Sequence, residues 1–161
     1  MKILILGHGQ HGKDTFAELL SKKYNLRFQS SSLEAFEAIK PALKAVFHNA
    51  GCDETLYQLR RHHRELYKAL ISLYNTPDKS ALSKKIISHN DIYVGMRSSD
   101  EFVSSKHLFD LIFWVDAMER VNYVDPSMAI RYTDDMIKID NNGSIEGLIK
   151  QIDRLGDYFN T

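Results

Sequence analysis

The chain has few of the residues that cross-link or interrupt a small protein. Its single cysteine, Cys52, cannot form a disulfide within the chain, which fits a reducing compartment. Lysine plus arginine equals aspartate plus glutamate at 21 each, so no net charge draws the protein to nucleic acid or to a membrane surface. No apolar run in the sequence approaches the length of a membrane-spanning helix, roughly 18 residues. The sequence also lacks a signal-peptide pattern. We therefore expect a cytoplasmic protein with one domain over residues 1–161.

Strand-like apolar runs alternate with helical patterns along the chain. Apolar runs predict five strands, at residues 2–6, 26–29, 91–96, 111–116 and 136–139. Helical spacing predicts helices from residue 13, over 33–49, 54–74, 80–88 and 99–109, and from residue 144, with Pro41 as a point of breakage or kinking. This alternation predicts an α/β fold of three layers, with a five-stranded parallel sheet and helices on both faces.

A glycine-rich segment joins the first predicted strand to the first helix, with the sequence GHGQHGKDT over residues 7–15. It fits both a dinucleotide-binding turn, GxGxxG, and a Walker A phosphate-binding loop, GxxxxGK. Lys13 favours the second interpretation, because a lysine after the last glycine neutralises triphosphate charge and has no role in a dinucleotide turn. The second strand ends in Gln29 and three serines, without the carboxylate that an NAD ribose prefers, which leaves an NADP site open.

The Walker A interpretation assigns donor binding to most of this loop. The predicted donor-binding residues are Gly7, Gly9, Gln10, His11, Gly12, Lys13, Asp14 and Thr15. Asp14 stands where the common motif has the serine or threonine that holds Mg²⁺. Its carboxylate either contacts the ion, directly or through water, or stabilises the helix N-terminus. Asp116, at the end of a predicted strand, is a second candidate for orienting Mg²⁺ through water.

The loop ending Gly-Lys-Asp-Thr resembles that of phage deoxynucleoside monophosphate kinases, within the adenylate-kinase-like small-molecule kinases. IYVGMR at residues 92–97 with Glu101 resembles a strand of that group that ends in Gly-x-Arg near an acidic residue. LIFWVDA at 111–117, before Glu119 and Arg120, resembles the strand that leads into the lid. IDNNGSIEGL at 139–148 resembles the closing strand and helix shared with dephospho-coenzyme A kinases. The resemblance covers residues 1–20 and 91–155, and it implies a P-loop kinase fold.

A kinase also needs positive charge around the transferring phosphoryl group and exclusion of water. Arg97, at a strand's carboxyl end, and Arg120 and Arg131, flanking a short lid at about 117–135, are the predicted catalytic arginines beside Lys13. Acceptor binding is assigned to the helical region at about 33–90 and its border, through Ser30, Ser31, Arg60, Arg64 and again Arg97. Arg60 and Arg64 lie four residues apart on one predicted helix, where a solvated surface is the alternative.

Together these features predict ATP-dependent phosphorylation of a nucleoside monophosphate, most simply a deoxynucleotide, with ATP and Mg²⁺ bound. A kinase of another small metabolite, such as dephospho-coenzyme A, is the alternative within the same class. An NADP-binding protein or a non-catalytic nucleotide-binding module are alternatives from other classes. The expected partners are a nucleoside triphosphate and a small nucleotide acceptor, with no nucleic acid, no membrane and a possible homodimer.

Overall fold

The structure is a computed structural model that describes residues 1–159. The last two positions of the expected domain, 160 and 161, lie outside the described residues. Within the described part, no helix combines the length and the apolar composition needed to cross a membrane.

Four parallel strands form the sheet in the described residues. In chain order they are β1 (Ile3–Leu6), β2 (Ile92–Val94), β3 (Leu111–Asp116) and β4 (Ile137–Asp140). Their order across the sheet is β2-β1-β3-β4, and every pairing is parallel. The first strand is central, with Ile3 opposite both Ile92 and Leu111. All four strands were expected from the sequence; β3 has the expected bounds, and those of β1, β2 and β4 are shifted.

Helices connect the strands and continue beyond the last of them. They are α1 (Lys13–Tyr24), α2 (Ser31–Val46), α3 (Asp53–Leu59), α4 (Arg64–Tyr74), α5 (Ala81–His89), α6 (Ser99–Ser105), α7 (Met118–Val121), α8 (Ile145–Arg154) and α9 (Gly156–Phe159). A 3-10 turn, Lys106–Leu108, follows α6, so the helix expected over 99–109 ends earlier than predicted. Helix α2 continues through Pro41, whose side chain is exposed and does not end the helix.

The sheet separates two apolar clusters, so the protein has three layers. Ile3 and Ile5 pack on one face with α1 and α8, whereas Leu4 and Leu6 pack on the other with α2 and α5. This division follows from the two-residue alternation of a strand, since successive side chains point to opposite faces. A third cluster joins α2, α3 and α4 away from the sheet.

The expected fifth strand, residues 26–29, is wrong: only Phe28 makes an isolated parallel bridge to Ile92. The Ser31 hydroxyl accepts the Val94 N–H at 2.9 Å, which supplies that amide with its hydrogen bond. A side chain therefore takes the place of the next strand carbonyl, and the chain turns into α2. The α/β class is confirmed, but the number of strands is corrected from five to four.

The single helix expected over residues 54–74 is also wrong, since it is divided into α3 and α4. Leu56 and Tyr67 both belong to the third cluster, and the Tyr67 hydroxyl donates a hydrogen bond to the Leu56 carbonyl oxygen. In one straight helix, eleven residues would separate the two by about 16 Å along the axis. The turn at residues 60–63 allows both helices to bury apolar side chains against α2.

Candidate phosphate-binding site

The loop between β1 and α1, residues 7–12, requires glycine at two positions. Gly7 has φ 138°, and a Cβ there would overlap the Val115 carbonyl oxygen. Gly12 has φ 84°, and a Cβ there would overlap the Asn141 side-chain amide. The loop therefore lies in direct contact with the ends of β3 and β4, and a larger residue at either position would displace it.

Lys13 opens helix α1 and lies along the inside of this loop. Only 9% of the residue is exposed, and its Nζ donates a hydrogen bond of 2.6 Å to the His8 carbonyl oxygen. Burial, followed by the positive charge of Arg97, lowers the pKa of Lys13 from 10.5 to about 8. No side chain caps the start of α1, so its first backbone N–H groups lack that partner. A buried cation and open helix amides together form an anion-binding arrangement.

His11 fastens the loop to the segment that follows β3. Its ring is fully buried, with Nδ1 accepting the Ala117 N–H at 3.1 Å and Nε2 donating to the Tyr123 carbonyl oxygen at 3.0 Å. Both bonds require the neutral ring with its proton on Nε2. The His11 carbonyl oxygen also accepts a bond of 2.8 Å from the Asn141 side-chain amide. His11 is thus an internal support of the loop, rather than a group open to a ligand.

Arg97 follows β2, which is the neighbour of β1 on the side away from β3. Its side chain reaches the loop from that side. Its Nη1 lies 2.9 Å from Oδ2 of Asp125, a residue that is only 6% exposed. The Asp125 N–H in turn donates to Nδ1 of His8 at 3.2 Å. Arg97 and Lys13 therefore carry two positive charges to one side of the loop, where Asp125 already supplies a negative charge.

The two other predicted catalytic arginines differ in their position. Arg120 donates from Nε to the Asn141 carbonyl oxygen at 3.0 Å, and its Nη2 lies 4.0 Å from where a Cβ on Gly12 would stand. Arg131 is exposed in the segment between α7 and β4, and within residues 1–159 it forms no ion pair. The structure thus brings Arg120 to the loop but gives no contact that ties Arg131 to it.

Two of the predicted acceptor residues, Ser30 and Arg60, belong to a chain of side-chain contacts that leaves the sheet edge. Ser30 and Ser32 hydroxyls lie 2.8 Å apart, and Ser32 is 2.9 Å from the Tyr57 hydroxyl. The Arg60 guanidinium lies over the Tyr57 ring, 3.9 Å from its centre. Arg64, by contrast, begins α4 beyond the turn, so the expectation that both arginines share one helical face is wrong.

An open cavity of about 530 Å³ lies between α1 and the segment that leads to this acceptor side. Its lining residues come from α1 and from the extended segment before α2, namely Asp14, Glu18, Ser21, Lys22, Phe28, Gln29 and Ser30. Asp14 and Ser30, each predicted as a site residue, therefore face the same space. Ser31 does not line this cavity, because its hydroxyl is bonded to the β2 backbone.

The two candidate Mg²⁺ residues have different surroundings. Asp116 uses Oδ1 to accept the Met118 N–H and pairs Oδ2 with Lys138 at 2.8 Å, a contact that lowers its pKa. Both of its oxygens are therefore already engaged. Asp14 is exposed in the first turn of α1 and beside Lys13. No cluster of three or more His, Cys, Asp or Glu suited to a metal occurs in residues 1–159, yet a single carboxylate with phosphate oxygens and water is a usual Mg²⁺ environment.

Sequence reasoning missed two residues of this site, Asp125 and Asn141. Asn141 directly follows β4, and the rule that ligands bind beyond the carboxyl ends of parallel strands identifies that position. Asp125 lies in an irregular segment, where only the Asp-Pro-Ser sequence signals a turn.

Comparison with known protein families and with curated proteins finds no match to this chain. The functional argument therefore depends on the geometry of the site.

Proposed function

We propose that this protein is a P-loop kinase that transfers the γ-phosphoryl group of ATP to a nucleoside monophosphate. The observation that carries the proposal is the position of Lys13, buried along a glycine loop at the uncapped start of α1. In phosphoryl transfer the protein supplies mainly positioning and positive charge, which is what this arrangement offers.

On the donor side, the chain's own groups bind and neutralise the phosphates. The Lys13 amine leaves the His8 carbonyl oxygen and pairs with phosphate oxygens, while the first amides of α1 donate to the same anion. Arg97 and Arg120 approach the loop from opposite sides and balance charge that spreads over the transferring group.

The residues present fit a Mg²⁺ ion carried with the nucleotide. Asp14 would hold it, directly or through water, in place of the usual hydroxyl. When bound, the ion neutralises part of the phosphate charge and aligns the donor. Asp116 keeps its bond to Lys138 and orients the turn into α7.

On the acceptor side, the proposal uses the cavity beside α1 and the polar chain that ends at Arg60. Ser30 lies at the border between the two, which fits an acceptor that reaches from the loop toward α3. Stacking on Tyr57 holds the Arg60 guanidinium in one orientation, suited to a bidentate contact with a phosphate monoester.

The test is an ADP-release assay with Mg-ATP against common ribo- and deoxyribonucleoside monophosphates and dephospho-coenzyme A. We expect turnover with one or a few monophosphates, and a loss of at least about 100-fold in Lys13→Ala. Lys150→Ala, at an exposed lysine of α8, is the matched control and should keep full activity. Turnover with dephospho-coenzyme A alone would show that this compound, and not a nucleoside monophosphate, is the acceptor. No turnover with any acceptor would contradict the proposed monophosphate kinase activity.

A further inference from the structure

The segment between α7 and β4 inserts a carboxylate into the phosphate-binding loop. Asp125 has its Oδ2 2.9 Å from Nη1 of Arg97, and a Cβ built on Gly9 would lie 3.1 Å from the same oxygen. The carboxylate therefore stands directly against the loop backbone. The carboxylate lies where the proposed function places an anionic phosphate.

Asp125 is held in this position by several bonds. Its Oδ1 accepts the Ser127 N–H at 2.9 Å and the Ser127 hydroxyl at 2.6 Å, and its own N–H donates to His8 at 3.2 Å. Burial acts to raise the pKa of Asp125, but the bonds from Ser127 and the charges of Arg97 and Lys13 outweigh it and leave the pKa below its ordinary value. The group is therefore an anion that interacts with Arg97 and Lys13, two of the three cations assigned to the donor.

A carboxylate and a donor phosphate compete for these cations at close range. Two like charges about 4 Å apart repel, and a surface of reduced dielectric strengthens the repulsion. Asp125 already pairs with Nη1 of Arg97, so a phosphate that takes this position must displace the carboxylate. The two anions therefore compete for one place beside Arg97.

We propose that Asp125 is an internal competitor for the donor phosphates, held in the loop by residues 122–128 and displaced when the nucleotide binds. The proposal rests on the proposed phosphate-binding function of the loop. Displacing the segment then offsets part of the binding free energy, which weakens the apparent affinity for the nucleotide. The segment acts as an autoinhibitory contact that favours an empty loop at low nucleotide concentration.

The test compares MgADP binding to the full chain and to Asp125→Asn. Trp114, the only tryptophan, lies 5.6 Å from the His8 ring and serves as an intrinsic fluorescence probe of the loop. We expect Asp125→Asn to lower the dissociation constant roughly tenfold, because the amide no longer competes as an anion. Asp134→Asn, at an exposed carboxylate between α7 and β4, makes the same change in net charge and should leave the dissociation constant near that of the wild type.

Ser127→Ala provides a second variant that keeps the Asp125 charge. It removes the hydroxyl that bonds to Oδ1 and to Arg97, so it should release the carboxylate partly and tighten MgADP binding by a smaller factor. A thermal unfolding curve checks that each variant folds. If Asp125→Asn does not fold, Ser127→Ala decides, and binding equal to or weaker than that of the wild type overturns the proposal.

The outcomes separate this inference from the proposed function. If the wild type binds MgADP and Lys13→Ala does not, the phosphate site stands. Asp125→Asn binding no more tightly than Asp134→Asn then overturns the internal competitor alone. If neither the wild type nor Asp125→Asn binds MgADP, the phosphate site and the competitor fail together. Binding by Asp125→Asn but not by the wild type would support both.

Discussion

At the scale of single residues, Lys13 combines two opposing requirements. A buried amine costs free energy when it is charged, and its pKa is lowered to about 8 for that reason. A donor phosphate would offset this cost, because a nearby anion favours the charged form of the amine. The same residue therefore links the stability of the empty protein to the binding of an anion.

This linkage predicts proton uptake when MgADP binds at alkaline pH. At pH 8.5, about 0.8 of Lys13 is neutral in the empty protein, so binding should take up as much as about 0.8 proton. Titration calorimetry in two buffers of different ionisation enthalpy measures this number. Uptake should fall to about 0.1 proton at pH 7.2, where Lys13 is already charged. Equal uptake at both pH values would contradict the assignment of the phosphate contact to Lys13.

Glu101 makes the free energy of unfolding depend on pH. This residue lies on the face of the sheet opposite to α1. The residue is 5% exposed, and Oε1 accepts hydrogen bonds from the hydroxyls of Ser83 at 2.8 Å and Tyr93 at 3.1 Å. Burial raises its pKa more than these bonds lower it. At this carboxyl, the folded protein binds more protons than the unfolded chain between about pH 4.5 and the folded-state pKa, so the contribution of Glu101 to the free energy of unfolding falls as pH rises through that range.

Replacing Glu101 with glutamine should remove this penalty. An amide oxygen accepts the same two hydroxyl bonds without a buried charge, so Glu101→Gln should stabilise the protein at pH 8 by on the order of 1 kcal/mol. Urea unfolding at pH 8 and pH 5 measures the difference, which should shrink at the lower pH. A difference that does not change with pH would show that packing, and not ionisation, is responsible.

At the scale of elements, helix α8 depends on the residue that caps its N-terminus. Ser144 precedes it, and the Ser144 hydroxyl accepts the Gly147 N–H at 3.3 Å, while Leu148 and Ile152 bury the helix against α1. Ser144→Ala should lower the free energy of unfolding by about 1 kcal/mol. Ser144→Asp keeps a capping oxygen and should remain near the wild type. Urea unfolding that ranks Ser144→Asp with Ser144→Ala would exclude capping as the cause.

The elements that could be predicted from the sequence are those fixed by local pattern. Strand β3 and the start of α8 follow from an apolar run and a capping serine, and both are confirmed. The fifth strand and the division of α3 from α4 could not be predicted, because each depends on a contact between distant residues. Ser31 bonds to Val94 in the first case, and Tyr67 bonds to Leu56 across a turn in the second.

The candidate site divides in the same way. The loop at residues 7–15 is a local motif, so its glycines and Lys13 could be identified directly from their spacing. Asp125 and Asn141 lie more than 100 residues further along the chain, and only the folded arrangement brings them to the loop. The pairing of Asp116 with Lys138, on neighbouring strands, likewise needs the register of the sheet before it can be foreseen.

At the scale of the whole molecule, the carboxyl ends of four strands meet along one edge. Loop residues after β1, Arg97 after β2, Ala117 after β3 and Asn141 after β4 all lie there. Backbone and side-chain bonds connect the last two to His11. The loop is therefore bonded directly to the segment after β3 and to the residue after β4.

This connection predicts hydrogen exchange changes of opposite sign when MgADP binds. Residues 7–14 should exchange more slowly, because phosphate contacts protect their amides. Three amides in residues 122–128 should exchange faster if Asp125 is displaced, since the N–H groups of Asp125, Ser127 and Met128 bond to His8 or to Asp125 itself. The strands should be unchanged. Mass spectrometry of exchanged peptides measures both segments at once, and slower exchange in residues 122–128 would mean that the nucleotide binds with this segment still in place.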